Sequence, residues 1–212
     1  MKRKKILNEI KLKNIANISS GLVIKRINSS NSIADNLNKY YYITQKAVHE
    51  NYIYEERFEP VCTEKAIENR YLAKNNDIIM KLTPPYSVAM IDFNRNDLII
   101  PSNFAIIRVK GEFIPIYLAY ILNGKSVRQQ LKRLVEGTNI PVIKINNLNN
   151  VKIKKMSKYK QIKYSKLFYL LDYRRRLLDT KRKLEESLKE GILSKLWEYS
   201  FKIIYFLKRI VK

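Results

Sequence analysis

Apolar side chains recur along the last quarter of the chain at three-, four- and seven-residue steps, a spacing that gathers them on one stripe of an α-helix. Residues 160–197 contain no proline and a single glycine, Gly191. The pattern predicts a long helix over residues 158–197, and a 38-residue stretch of it would measure roughly 55 Å. The apolar positions that we expect to pair with a partner helix are Leu167, Leu170, Leu171, Leu177, Leu178, Leu184, Leu188 and Ile192.

A helix of this length exceeds what one small domain covers, so its stripe needs a partner in the same chain or in another copy. We expect a coiled-coil spacer that makes the protein a homodimer and sets the distance between two identical binding modules. The alternative is an ordinary amphipathic helix that folds back onto its own domain.

The first 150 residues show a different pattern, in which short apolar runs alternate with turn-forming residues. We predict strands at 22–27, 40–43, 78–82, 86–93, 98–100, 104–109, 142–145 and 151–153, and helices at 64–72 and 116–131. This mixture predicts an α+β fold, with a globular domain of short strands and helices followed by one long C-terminal helix. The expected boundaries are 1–157 for the domain, 158–197 for the spacer helix and 198–212 for an apolar and basic tail.

Charge narrows the choice of partner. The chain carries 42 Lys+Arg against 19 Asp+Glu, a net charge of +23, which predicts an anionic partner, with nucleic acid first. Cys62 is the only cysteine and His49 the only histidine. An internal disulfide and a zinc site of the usual Cys/His type are therefore excluded, and a reducing cytoplasmic compartment fits. The alternative function is a non-enzymatic interaction or membrane-surface-binding protein that uses its basic amphipathic C-terminal helix.

Lys, Arg, Asn and Thr side chains on loops are suited to phosphates and base edges. The predicted DNA-binding residues are Lys25, Arg26, Asn28, Arg57, Arg70, Lys81, Thr83, Asn94, Arg95, Thr138, Asn139 and Lys144. Aromatics are interleaved with charges over residues 51–60, which is typical of a base-stacking surface or of a half-buried strand.

Two short segments are similar to motifs of catalytic sites. Residues 83–86, Thr-Pro-Pro-Tyr, are similar to the loop with which DNA adenine methyltransferases hold a flipped base. The chain has no Gly-x-Gly turn for a nucleoside cofactor, so we interpret the segment as a rigid structural turn. Glu9-Ile10-Lys11 has the local spacing of a nuclease motif, without an acidic partner that stands out. We therefore predict a non-catalytic chain with no cofactor, no metal and no catalytic residue.

Several stretches occur together in a familiar order. They are NDIIMKLTPPYSVAMIDFNRNDLIIPSNFAIIRV (76–109), YLAYILNGKSVRQQL (117–131), EGTNIPVIKINNLNNVKI (136–153) and LKEGILSKLW at the end of the long helix. The ordered set resembles the DNA specificity (S) subunits of type I restriction–modification systems. Asn76 replaces the usual glycine of the first motif, and only Gln161 remains of the Pro-x-x-Glu-Gln start of the family's helix.

The resemblance implies one target recognition domain followed by a spacer helix, as in a half-length specificity subunit. Two copies joined through the helix would read a palindromic, interrupted target in double-stranded DNA. The implied partner is an adenine methyltransferase (M) subunit, which the chain would direct to that bipartite target. The resemblance also allows a restriction (R) subunit as a partner.

Overall fold

The structure is a computed structural model that describes residues 9–26, 38–135 and 141–210, with side chains after Trp197 and that of Arg26 left aside. The chain divides into two compact units, Met1–Lys166 and Leu167–Lys212. The predicted α+β class, with small sheets and a long C-terminal helix, is confirmed. In the described part of the chain, no helix combines the length and the apolarity that a membrane crossing requires.

The described strands are short. They are β1 (Glu9–Lys11), β2 (Ala16–Ser20), β3 (Asn38–Tyr42), β4 (Val48–His49), β5 (Tyr52–Ile53), β6 (Glu59–Thr63), β7 (Ile78–Lys81), β8 (Val88–Met90), β9 (Leu98–Ile99), β10 (Phe104–Val109) and β11 (Lys152–Lys154). The α-helices are α1 (Pro115–Asn123), α2 (Lys125–Leu134), α3 (Ile145–Leu148) and α4 (Lys158–Ile210), and 3-10 turns lie at Leu12–Asn14, Ile24–Arg26 and Glu55–Arg57.

A four-stranded antiparallel sheet, in the order β2-β10-β7-β8, forms the centre of the first unit. Beside it lie a three-stranded sheet, β6-β3-β9, the hairpin of β4 with β5, and a two-stranded antiparallel sheet that pairs β1 with the distant β11. Phe104 on β10 faces Lys81 on β7. Because residues alternate sides along a strand, this register decides which side chains enter each core.

Both faces of the central sheet are buried. Along β7, Ile78 and Met80 join one apolar cluster, which includes α1 and α2, whereas Ile79 joins a second cluster with β9. Along β10, Ala105 and Ile107 belong to the first cluster, and Phe104 and Ile106 belong to the second. This explains why Ile78–Met80 and Phe104–Ile107 are continuous apolar runs in the sequence instead of alternating with polar residues.

Two close contacts fix the ends of the strands. A Cβ atom on Gly21 would lie 2.2 Å from the carbonyl oxygens of Ile100 and Pro101, so only glycine allows this approach. Asp77, immediately before β7, accepts from both Nε and Nη2 of Arg108 on β10, each at 2.9 Å. The Asp77 carboxylate is buried and also accepts from the Lys74 amide at 3.1 Å.

Several predicted elements are wrong. Residues 64–72 are not helical, because the backbone near their end pairs with β9: Leu72 bridges Ile99, and the Ile100 amide donates to the Tyr71 carbonyl at 2.9 Å. The predicted strand 22–27 contains the 3-10 turn at Ile24–Arg26 instead. The predicted strand 142–145 is a loop that leads into α3.

The two predicted helices of the C-terminal half also differ in extent. The helix predicted over 116–131 is two helices, since Gly124 has an extended backbone between α1 and α2. Helix α4 extends from Lys158 to Ile210, so the segment after Trp197 is a continuation of the helix rather than a separate tail. At 1.5 Å per residue, its 53 residues measure about 80 Å.

Helix α4 is attached to the first unit through Gln161, which is 2 % exposed. Its side-chain oxygen accepts from the Ile114 amide, just before α1, at 3.0 Å, and its amide group donates to the Met156 carbonyl at 3.0 Å. Ser165, one turn later, donates to the Gln161 carbonyl at 2.7 Å. Gln161 therefore holds the start of this helix against the segment that precedes α1.

Candidate nucleic-acid interface

A group of cationic and aromatic side chains meets at the β4–β5 hairpin, and we call His49, Tyr54, Arg57 and Lys81 the basic–aromatic cluster. The Arg57 guanidinium lies 4.5 Å from the centre of the Tyr54 ring, in a cation–π contact. His49 packs edge-on against Tyr54 at 5.0 Å, and Arg57 Nη1 lies 3.5 Å from His49 Nε2. Arg57 Nη1 also donates to the Lys46 carbonyl at 3.0 Å, which fixes the guanidinium over the ring.

Lys81 is the last residue of β7, and its positive charge acts on His49. It is 8 % exposed, and burial lowers the pKa of its ammonium group. Among the described residues, no carboxylate pairs with it. Burial also lowers the pKa of His49, with smaller contributions from the positive charges of Lys81 and Arg57, while a hydrogen bond with the Lys46 backbone raises it. In the described part of the chain, neither Arg57 nor Lys81 forms an ion pair, so the cluster concentrates positive charge that is suited to an anion.

The hairpin that carries His49 is held by Asn123 at the end of α1. The Asn123 side chain accepts from the Val88 amide at 3.0 Å and donates to the Val88 carbonyl at 2.8 Å, thereby pairing with the edge of β8. It also donates to Asn51 Oδ1 at 2.7 Å, at the turn of the hairpin. Arg128 on α2 bridges the Asn123 carbonyl and the Glu50 carboxylate. These contacts position the hairpin against the sheet and helices.

The other predicted DNA-binding residues are spread over the described surface. Lys25, Arg70, Asn94 and Lys144 are exposed, and Thr83 is half-buried and accepts from Gln45 Nε2 at 3.4 Å. Arg70 pairs with Glu68 at 3.0 Å, and Arg95 forms a bidentate pair with Asp97 at 2.9 and 2.7 Å. Predicted residues Asn28, Thr138 and Asn139, and the side chain of Arg26, lie outside the described part of the structure.

A groove of about 580 Å³ lies close to the basic–aromatic cluster. Lys25 and Lys46 contribute charge to its lining, and Ser102 and Asn103 contribute polar groups. Because the Lys46 carbonyl also holds Arg57, the groove and the basic–aromatic cluster share a segment of chain.

The Thr83–Tyr86 segment is built as a structural turn. Tyr86 is 6 % exposed, packs in the first apolar cluster and donates its hydroxyl hydrogen to the Pro141 carbonyl at 2.9 Å. Burial raises the pKa of this hydroxyl. A ring enclosed in this way does not present its face to a flipped base, which favours the structural interpretation of the motif over the methyltransferase one.

The eight apolar residues predicted for dimerisation are all on the surface of α4, where they are between 49 % and 65 % exposed. Ion pairs along the same helix join Lys181 to Glu185 at 3.5 Å and Arg182 to Glu186 at 3.9 Å. Large apolar side chains exposed in a row along a helix are typical of a surface that another helix covers.

No protein-family model matches the sequence, and a search of curated proteins finds no match. Solved structures do match. The HsdS subunit from Thermoanaerobacter tengcongensis is 17% identical over 80% of this chain and 43% of its own length, with a TM-score of 0.59. The type I restriction–modification S subunit from M. genitalium is 16% identical over 85% of this chain and 43% of its own, with a TM-score of 0.53.

A third match comes from a structure that describes complex assembly and conformational transition of the type I R-M system. It is 15% identical over 84% of this chain and 45% of that one, with a TM-score of 0.61. The chain therefore shares the fold of type I S subunits, as the sequence resemblance predicted, and it spans less than half the length of the chains it matches.

The sequence predicts Arg57 and Lys81 as binding residues but not His49 or Asn123. His49 is a lone histidine, and Asn123 stands inside a helical pattern. Their partners are distant in sequence, so local pattern carries no signal for either role. The solitary histidine beside an aromatic and basic stretch was the one available indication.

Proposed function

We propose that this chain is a DNA-binding specificity module, in which the unit that ends at Lys166 recognises double-stranded DNA. The observation that carries the proposal is the basic–aromatic cluster, on a fold shared with type I S subunits. In this role the chain is not itself catalytic: it delivers a partner adenine methyltransferase to its target.

Charge compensation separates the predicted contacts into two groups. Arg70 and Arg95 have carboxylate partners, so part of their charge is already balanced. Arg57 and Lys81 have none in the described part of the chain and supply uncompensated positive charge. Phosphate contacts made by such groups dominate affinity for nucleic acid and weaken as salt rises. Tyr54 adds an aromatic surface beside them.

The proposal is tested by DNA binding of Arg57→Ala, with Lys110→Ala as the control. Lys110 follows β10, six residues beyond the position that faces Lys81, which places it about 20 Å away along the same sheet. Loss of a charged phosphate contact should weaken binding about tenfold and reduce the slope of log affinity against log salt by about one. The control should bind like the wild type, and equal losses in both variants would contradict the proposed interface.

The long helix α4 would join two copies of the proposed module. Two copies that cover each other's apolar stripe would present two recognition units related by a two-fold axis. A symmetric pair of units implies a palindromic, interrupted DNA target. In that assembly the paired chains would recruit the methyltransferase subunit. A restriction subunit would be a further partner of the same assembly.

A further inference from the structure

We propose that His49, Arg57 and Lys81 form a preformed site for one DNA phosphate, and that His49 takes up a proton when the phosphate binds. This inference rests on the proposed DNA-binding function and adds a named ligand group and a pH dependence to it.

The burial of Lys81 is the first support. Burying an ammonium group costs several kcal/mol unless an anion or well-placed acceptors compensate for it. Lys81 is 8 % exposed and, among the described residues, has no ion-pair partner. A phosphate oxygen at the mouth of the site would supply the missing negative charge. Arg57, fixed by the Lys46 carbonyl and the Tyr54 ring, and Lys81 both bring their positive charges close to His49.

The position of His49 is the second support. In the free protein Arg57 Nη1 lies 3.5 Å from His49 Nε2, a contact that suits a neutral imidazole, which accepts at that nitrogen. Lys81 approaches from β7, Arg57 from the 3-10 turn after β5, and the Tyr54 ring from the same turn. Of the neighbouring acids, Glu50 pairs with Arg128, and Glu55 and Glu56, on the same turn as Arg57, are exposed to solvent. Among the described residues, the charged groups that shift the pKa of His49 are the two cations Lys81 and Arg57, so the site disfavours protonation of the imidazole until an anion arrives.

The direction of the pH effect follows. Burial and the two cations lower the pKa of His49 in the free protein, so the imidazole is mostly neutral near pH 7. A bound phosphate favours the imidazolium and raises that pKa. The complex then holds more protons than the free protein, so affinity for DNA rises as pH falls through the interval between the two pKa values.

Because His49 is the only histidine, an untagged chain labelled with 13C-histidine gives one Cε1–Hε1 signal in an NMR titration, to which an unlabelled duplex adds none. The titration is made with and without a saturating, roughly 20-base-pair duplex of arbitrary sequence at low salt, since phosphate contacts need no target sequence. We expect the midpoint to rise on addition of the duplex. In parallel, wild-type affinity should increase about tenfold more than that of His49→Gln between pH 8 and pH 5.5, which corresponds to a midpoint raised by about one pH unit.

The outcomes separate the two proposals. Duplex binding with an unchanged His49 midpoint, or with the same pH dependence in wild type and His49→Gln, would overturn the proton-linked site and leave the DNA-binding function standing. Failure to bind the duplex at any pH would overturn both. Since His49 is exposed, the glutamine variant should fold normally, and the midpoint measurement needs no variant at all.

Discussion

Replacing Asp77 with asparagine tests whether the ion pair between Asp77 and Arg108 stabilises the first unit. The carboxylate is 5 % exposed and accepts three hydrogen bonds, two from Arg108 and one from the Lys74 amide. Asparagine has nearly the same shape but no charge, and its NH2 group would face a guanidinium N–H, so at least one hydrogen bond becomes a donor–donor contact.

The magnitude follows from the burial of the two partners. Breaking a buried pair by changing one partner typically costs about 3–5 kcal/mol. The Arg108 side chain is 28 % exposed, so water solvates part of its charge, and we expect the lower end, about 3 kcal/mol. Glu68 and Arg70 form the matched control: their separation is 3.0 Å, but the side chains are 63 % and 65 % exposed, so Glu68→Gln should cost less than about 1 kcal/mol.

Urea unfolding measures both variants. Trp197 lies in the second unit, so tryptophan fluorescence does not report on this pair, whereas tyrosine near-UV circular dichroism follows the first unit. With a slope of about 2 kcal/mol per M, the Asp77→Asn midpoint should fall by about 1.5 M. Equal midpoints for Asp77→Asn and Glu68→Gln would refute the reasoning from burial.

Two further predictions concern α4. Changing Leu177 and Leu184 together to glutamate should convert a wild-type dimer into a monomer in light scattering, since both side chains are more than half exposed and would place charges in the helix pair; a wild-type monomer would remove the dimer proposal. Gln161→Ala should lower the free energy of unfolding of the first unit by about 1–3 kcal/mol, because it leaves the Ile114 amide without its acceptor. The exposed neighbour Lys160→Ala should change it by less than about 0.5 kcal/mol, and similar losses in both would argue against the buried hydrogen bond.

Elements that depend on their own sequence were predictable. β10 was predicted with the bounds that the structure has, because its apolar residues, interrupted only by Arg108, leave few alternatives. The predicted helix 64–72 failed, because backbone pairing with β9 outweighed local preference, and the helix predicted over 116–131 did not include the break at Gly124. For the candidate site, the sequence supplies the cations but does not show which are paired: Arg70 and Arg95 have carboxylate partners in the structure. The contacts of His49 and Asn123 exist only after folding.

The two-sided burial of β7 and β10 has a consequence for how their alignment is specified. In a sheet with one solvent-exposed face, a slip by one residue would expose apolar side chains to water. The free-energy cost of that exposure enforces correct strand pairing. Here such a slip would only exchange side chains between the two apolar clusters, so the apolar pattern discriminates weakly between correct and slipped pairing. Arg108 and Asp77 lie one position beyond the Ile107–Ile78 pair. A slipped alignment would separate them and leave a charged side chain without its partner in the core. The ion pair between Asp77 and Arg108 therefore selects one alignment of β7 with β10 among several that bury similar apolar surface.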